Sequence, residues 1–213
     1  LNIKKCWCAA ILLAMAGFTA SANANLVANG GFEADSFNGP WIQQPNITGW
    51  SSNLPFELQR GSNTGGLSNF DVSFEGNQYL ELNSTALSSI YQSLATVAGQ
   101  AYNLSFAYSG RPDTPGGAIS AMQIFWNGIM LNPTVTAAAD SGWLVYTYNN
   151  LIATGNNTVL AFNSTGPGDQ PSYGSYLDAV SVNAVPEPMT IAMMLLGLGL
   201  MGVVIGKRKN RRL

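Results

Sequence analysis

The stretch AYNLSFAYSG, residues 101–110, alternates large apolar side chains with small or polar ones. In an extended chain Tyr102, Leu104, Phe106 and Tyr108 fall on one face, and Asn103, Ser105, Ala107 and Ser109 on the other. A helix would scatter those four side chains around its axis, so the period of two dictates a strand with one buried face. The segments QYLELN, SIYQSLAT, AMQIFWNG, WLVYTY, TVLAFN and YLDAVSV repeat the pattern, separated by Gly, Asn, Pro and Ser. Asn127-Gly128, set between apolar runs, is a favoured hairpin dipeptide. Between Asn25 and Ala184 there is neither a convincing amphipathic helix nor an internal repeat. Roughly 160 residues in eight or more strands predict an all-β fold, a two-sheet sandwich of jelly-roll type. The stretches Gly61–Asn69 and Arg111–Gly117 read as loops.

Charge divides the chain into three parts. Lys4 and Lys5 open it, and Lys207, Arg208, Lys209, Arg211 and Arg212 close it, leaving Arg60 and Arg111 between. Ten carboxylates lie between Asn25 and Ala184, so this body carries about −8. Nucleic acid is excluded as a partner by repulsion from its phosphates. The chain has no histidine, which removes the usual general base and the commonest zinc ligand. Both cysteines, Cys6 and Cys8, precede the body, so no disulfide forms within it.

The two ends read as addresses. Residues 1–24 order a basic start, the apolar run Ala9 to Phe18 and the small-residue exit Ala22-Asn23-Ala24, as a secretory signal peptide does. Signal peptidase would leave Asn25 as the first residue of a body spanning 25–184. At the other end, Met189 to Gly206 is 18 residues without a charge, about 27 Å of helix. That segment predicts one transmembrane helix, with the basic tail 207–213 remaining cytoplasmic. The exported body and the cytoplasmic tail agree with a helix that runs outside to inside.

Val185-Pro186-Glu187-Pro188, then the apolar span, then the basic cluster, resembles the C-terminal sorting signal of PEP-CTERM proteins. The resemblance spans residues 185–213, with Pro186, Glu187 and Pro188 as the sorting motif. It implies recognition by the membrane protease-transpeptidase exosortase, removal of the anchor, and transfer to the cell surface or extracellular matrix. Two prolines keep the motif extended, as a protease cleft requires. The alternative is a permanent tail anchor behind a proline-rich linker.

The opening NLVANGGFE and the closing SYLDAVSV, with GNQYLELN and TVAGQAYNLSFAYSGRP between, look like a galactose-binding-like jelly roll, the superfamily of several carbohydrate-binding modules. Strand alternation places Asp178 on the face of Val180 and Val182, an inward-pointing carboxylate that needs a partner. The resemblance implies that a first strand, beginning at Asn25, brings Glu33 beside Asp178, and that the two help hold a structural Ca2+ completed by carbonyls and water. Pairing of Asp178 with Arg60 or Arg111, or a wet strand end, is the other reading.

For ligand contact the candidates are Trp41, next to Pro40 in loop-like sequence, then Trp50, and Arg111 in SGRPD. Taken alone each indole is favoured as a core residue, as Trp126 is by its alternation with Met122 and Ile124, and the other reading of Arg111 is an ion pair with Asp113 or another acid. No nucleophile elbow, phosphate loop or zinc spacing occurs, and no carboxylate pair is marked as catalytic by its spacing. The reading is a non-enzymatic, exported surface or matrix protein, structural or adhesive in role and associated with extracellular polysaccharide. A dedicated carbohydrate-binding module with a defined glycan pocket is the alternative, and a polysaccharide-degrading enzyme a more distant one.

Overall fold

A computed structural model describes residues 24–61, 72–114, 119–131, 134–139, 141–166, 173–186, 197–199 and 201. Its twelve strands are β1 (Trp41–Gln44), β2 (Ser51–Ser52), β3 (Phe56–Arg60), β4 (Gln78–Glu81), β5 (Ser89–Ala95), β6 (Ala101–Ser109), β7 (Ser120–Trp126), β8 (Ile129–Met130), β9 (Val135–Ala137), β10 (Leu144–Ile152), β11 (Asn157–Gly166) and β12 (Tyr176–Ala184). They form two antiparallel sheets, ordered β1-β3-β4-β12-β6-β10 and β2-β5-β11-β7-β8, with β9 added to β7. The last strand lies inside the first sheet, between β4 and β6. This is the all-β jelly-roll sandwich.

The alternating segments supply the core. Tyr102, Leu104, Phe106 and Tyr108 of β6 meet Met122, Ile124 and Trp126 of β7 and Leu160 and Phe162 of β11 between the sheets. Phe56, Leu58, Leu80, Leu82 and Leu177 fill the same layer from the other strands of the first sheet. The Phe106 and Phe162 rings meet edge to face, with centroids 5.2 Å apart. Asn127 and Gly128 both take positive φ, 50° and 80°, and join β7 to β8 in a tight hairpin.

Two expectations require correction. The segment from Asn25 is not a regular strand but a series of turns, with Asn29 and Phe32 at positive φ. It still lies against β12, through Leu26 N–H to the Val182 carbonyl at 2.8 Å and Val180 N–H to the Gly30 carbonyl at 2.9 Å. Nor does Asp178 share the face of Val180 and Val182. The register of β12 against β6 slips by one residue between Asp178 and Ser181, at a bulge where Ala179 has a φ of 51°. Leu177 therefore joins the two valines in the core, and Asp178 emerges on the opposite, outer face.

The charged strand residues, Glu57, Arg60, Glu81 and Asp178, all belong to the first sheet. The signal peptide read over 1–24 lies outside the described residues save Ala24, as does the basic tail 207–213. Of the sorting motif Pro186 is described and Glu187 and Pro188 are not; of the apolar span 189–206, only 197–199 and 201 are. Among the described residues no helix is long and apolar enough to cross a membrane.

Candidate functional site on the outer face of the first sheet

Phe56, Leu58, Leu80 and Leu82 point into the core, so their neighbours Glu57, Gln59, Tyr79 and Glu81 point out. The register aligns these in two rows across the sheet. One runs Gln43–Glu57–Glu81–Tyr176–Ser109, the other Trp41–Gln59–Tyr79. An outer face normally meets water, yet Glu57, Gln59, Tyr79, Glu81 and Tyr176 are buried. Trp143 covers part of the face. Its ring meets Tyr79 edge-on at 5.6 Å and Phe74 at 6.2 Å, and its indole N–H donates to the Val72 carbonyl at 2.7 Å.

Glu81, with no exposed surface, is the hub. Arg111 Nη1 donates to its two carboxylate oxygens at 2.9 and 2.7 Å, Gln59 Nε2 at 2.9 Å and the Gly174 N–H at 3.0 Å. The other edge of the guanidinium is taken by Asp113, whose Oδ1 accepts from Arg111 Nε at 2.7 Å, and the Tyr173 ring lies 5.0 Å away. Gln59 also donates to Glu57, which accepts from Gln43 Nε2 at 3.4 Å, so the one Gln59 amide bridges the two carboxyl groups. Burial pushes Glu81 up to about 8, against the attraction of Arg111, and raises Glu57 as well. Burial alone would lower Arg111, but Asp113 and Glu81 more than offset that and hold it charged.

These contacts hold the side chains of Gln59, Glu57, Glu81 and Arg111 to one another. The two carboxyls of a glycosidase stand apart with the scissile bond between them. The Glu57 and Glu81 carboxyls both accept from Gln59 Nε2, so an amide group, not a sugar ring, stands between them. The network ends at the solvent in Trp41, whose surface is 50% exposed, and in the exposed Gln43. Trp41 lies directly opposite Gln59 in register, at the edge of the sheet.

The residues singled out from sequence separate clearly. Trp41 is exposed beside the polar row. Trp50 is not available to a ligand: it is 5% exposed, stacked on Phe32 at 5.7 Å, and donates its indole N–H to the Asn29 carbonyl. Its second ring neighbour is Phe162, so it packs as a core residue. Trp126 is also core, with its indole N–H on the Ile152 carbonyl at 3.0 Å. Arg111 is buried and ion-paired with both Glu81 and Asp113; its fork positions the network and is not free. Through Glu81 and Gln59 it is linked to the Trp41 edge. Glu57, Gln59, Glu81 and Gln43 escaped the sequence reading. Their signal was the shared phase of FELQ and YLEL, each placing glutamate between two core side chains.

Asp178 and Glu33 converge on one turn, the one leading into β4. Asp178 Oδ2 accepts from the Phe74 and Glu75 N–H groups at 2.8 and 3.0 Å, and Oδ1 from Ala179 N–H at 2.7 Å. Glu33 Oε1 accepts from the Asn77 and Gln78 N–H groups, both at 2.6 Å. The partners of Asp178 are thus backbone amides, not Arg60 or Arg111. Burial pushes Asp178 up to about 7, against the pull of those amides. Among the described residues no group of three or more His, Cys, Asp or Glu side chains gathers to hold a metal ion.

No curated protein matches the sequence. Solved structures of similar shape include TmCBM61 in complex with β-1,4-galactotriose, at 14% identity and a TM-score of 0.47, covering 76% of this chain and 99% of that one. The CBM22-1 xylan-binding domain of Xyn10C from Paenibacillus barcinonensis has 15% identity and a TM-score of 0.47, covering 79% and 99%. A Podospora anserina GH26-CBM35 β-(1,4)-mannanase has 11% identity and a TM-score of 0.39, covering 71% of this chain and 29% of that one. Nothing about a ligand follows from such distant likeness. Residues 184–212 match the PEP-CTERM protein-sorting motif, and the chain carries that signal. Residues 25–183 match the model described as protein of unknown function (DUF642), and the chain belongs to that family.

Proposed function

We propose that the chain is an exported, exosortase-sorted protein of the cell surface or extracellular matrix, whose sandwich binds without catalysis. Its role in this reading is structural or adhesive, by contact with neutral extracellular polysaccharide along the Trp41 edge. The sorting signal at residues 184–212 supports the destination. The observation that carries the binding is the half-exposed Trp41 ring beside Gln43 and opposite Gln59, at the edge of a buried carboxylate–arginine network. An aromatic face with neutral amides around it suits a sugar ring and its hydroxyls. The body's negative charge disfavours an acidic polymer.

The test is affinity electrophoresis of the protein through neutral and acidic polysaccharides. Retardation by neutral polymers, weakened about tenfold or more by Trp41→Ala, is expected. Retardation unchanged by Trp41→Ala, or breakdown of the polymer by the pure protein, contradicts the proposal. A dedicated carbohydrate-binding module is the second reading, favoured by how rigidly Glu81 and Arg111 are fixed; selectivity for a single glycan in the same panel identifies it.

A calcium ion at Glu33 and Asp178 is a separate proposal. Their hard oxygens suit the ion, and Asp178 retains acceptor capacity beyond its three amide partners. The ion would add to the hold these carboxylates already have on the turn at 74–78. A melting midpoint that falls on chelation supports it; an unchanged midpoint leaves the hydrogen bonds as the whole clamp.

A further inference from the structure

Three turns and the exit of the chain gather at one end of the sandwich. Residues 95–101 carry β5 into β6, 126–130 hold the β7–β8 hairpin, and 151–157 carry β10 into β11. Hydrogen bonds stitch them together: Gly99 N–H to the Ala153 carbonyl at 2.8 Å, Thr96 N–H to the Asn156 carbonyl at 3.2 Å, and Asn127 Nδ2 to Thr154 Oγ1 at 2.9 Å. The chain leaves from the same place. Val185, the residue after β12, donates its N–H to the Ala101 carbonyl at 2.8 Å, and its own carbonyl accepts from Gln100 Nε2 at 2.6 Å, whereas Pro186 is exposed. None of the three turns contains a charged residue. Each exposes an apolar tip, Val97 at 62%, Ile129 at 65% and Ile152 at 53%. The charged network lies at the other end: Glu81 pairs in register with Tyr176, the first residue of β12, and holds Arg111, which holds Asp113.

We propose that this neutral end is a membrane-contact surface, on which Val97, Ile129 and Ile152 rest in the lipid headgroup layer while the chain is anchored. This rests on the anchor reading, in which residues 189–206 span the membrane, and is independent of any glycan. Chain length selects the bilayer as the occupant. Only three residues, Pro186-Glu187-Pro188, separate Val185 from Met189, so even fully extended the two lie no more than about 14 Å apart. The headgroup layer takes up roughly 5–7 Å of that distance. Val185 is itself tied to the turns by Ala101 and Gln100, so the turns follow it to the surface. The tether therefore holds this end, rather than the Glu81–Arg111 end, against the bilayer. Apolar tips rimmed by neutral polar groups suit such an interface. A neutral end also escapes the repulsion from anionic lipids that the carboxylates of the far end would meet.

The test uses the full chain with Cys6 and Cys8 changed to serine, one copy per phosphatidylcholine nanodisc, labelled at a single new cysteine with a polarity-sensitive fluorophore. Val97→Cys, Ile129→Cys and Ile152→Cys put the label on the tips, Leu87→Cys puts it between β4 and β5 at the far end, and Leu195→Cys puts it in the span. Lipids spin-labelled at the headgroup are expected to quench the three tip labels at least threefold more than the Leu87 label. Tip labels quenched no more than the Leu87 label, with the Leu195 label buried in the bilayer, overturn this proposal and leave the anchor standing. So do tip labels in apolar surroundings that the headgroup quencher does not reach, which mark a contact with protein. A Leu195 label outside the bilayer overturns the anchor and the proposal together.

Discussion

Glu57 and Glu81 face each other across β3 and β4, both buried and both accepting from the Gln59 amide, and the burial of these carboxyls sets how the fold answers to pH. Glu81 titrates near 8 in the folded chain against an ordinary value of 4.5. A raised carboxyl binds its proton more tightly folded than unfolded, so its contribution to stability is complete below about pH 4.5 and lost as pH rises toward 8. Asp178, raised to about 7, acts in the same direction. Thermal melts are therefore predicted to show a falling midpoint between pH 5 and pH 8. Glu57→Gln removes the neighbouring carboxylate whose charge helps raise Glu81, and leaves Glu81 to Arg111. It should shrink that fall without abolishing it, since Asp178 still titrates. The carboxylates were visible in the sequence, but their burial was not. A glutamate between two core leucines reads as solvent-facing, and only loops distant in sequence, from Arg111 and Gly174, reveal that the outer face is covered. Trp50 misled for a similar reason. Its turn-like surroundings hide a ring that reaches inward to Phe32 and Phe162.

At the scale of elements, period-two alternation was sufficient wherever a strand was long and unbroken. AYNLSFAYSG became β6 with the expected four side chains in the core, and seven of the twelve strands correspond to segments recognisable by eye. The short edge strands β1, β2, β8 and β9 have too few residues to display a period. β12 illustrates how alternation fails. One bulged residue reverses the phase, so Asp178 and Val180, two apart, occupy opposite faces. Ala179 holds the bulge at a φ of 51°, a conformation that costs an L residue about 1–2 kcal/mol. Ala179→Gly is predicted to relieve most of this, less its own chain-entropy cost, and to stabilise the protein by about 0.5–1 kcal/mol in urea denaturation. Destabilisation instead would show that the methyl group contributes packing greater than the strain.

Across the whole molecule, charge and hydropathy are partitioned along the chain. The acidic sandwich lies between a basic, apolar start and an apolar segment with a basic end, and the latter carries the sorting signal. The C-terminal sorting signal was the most legible part of the chain, because such an address is written in composition and order and needs no tertiary contact. Intact-mass analysis of the surface-exposed protein is expected to begin at Asn25 and to lack the apolar segment beyond the Pro186 region. What the sandwich touches was the least legible, since it depends on which aromatic rings the fold leaves outside. Of the indoles in the body, the fold buries Trp50 and Trp126, half-buries Trp143, and leaves Trp41 half-exposed beside a rigid polar row. Indole N–H resonances of the folded protein, followed during titration with a neutral polysaccharide, therefore test the binding claim most directly. The account predicts a saturable shift of the Trp41 signal while those of Trp50 and Trp126 stay in place; saturable binding that leaves Trp41 unmoved would contradict it.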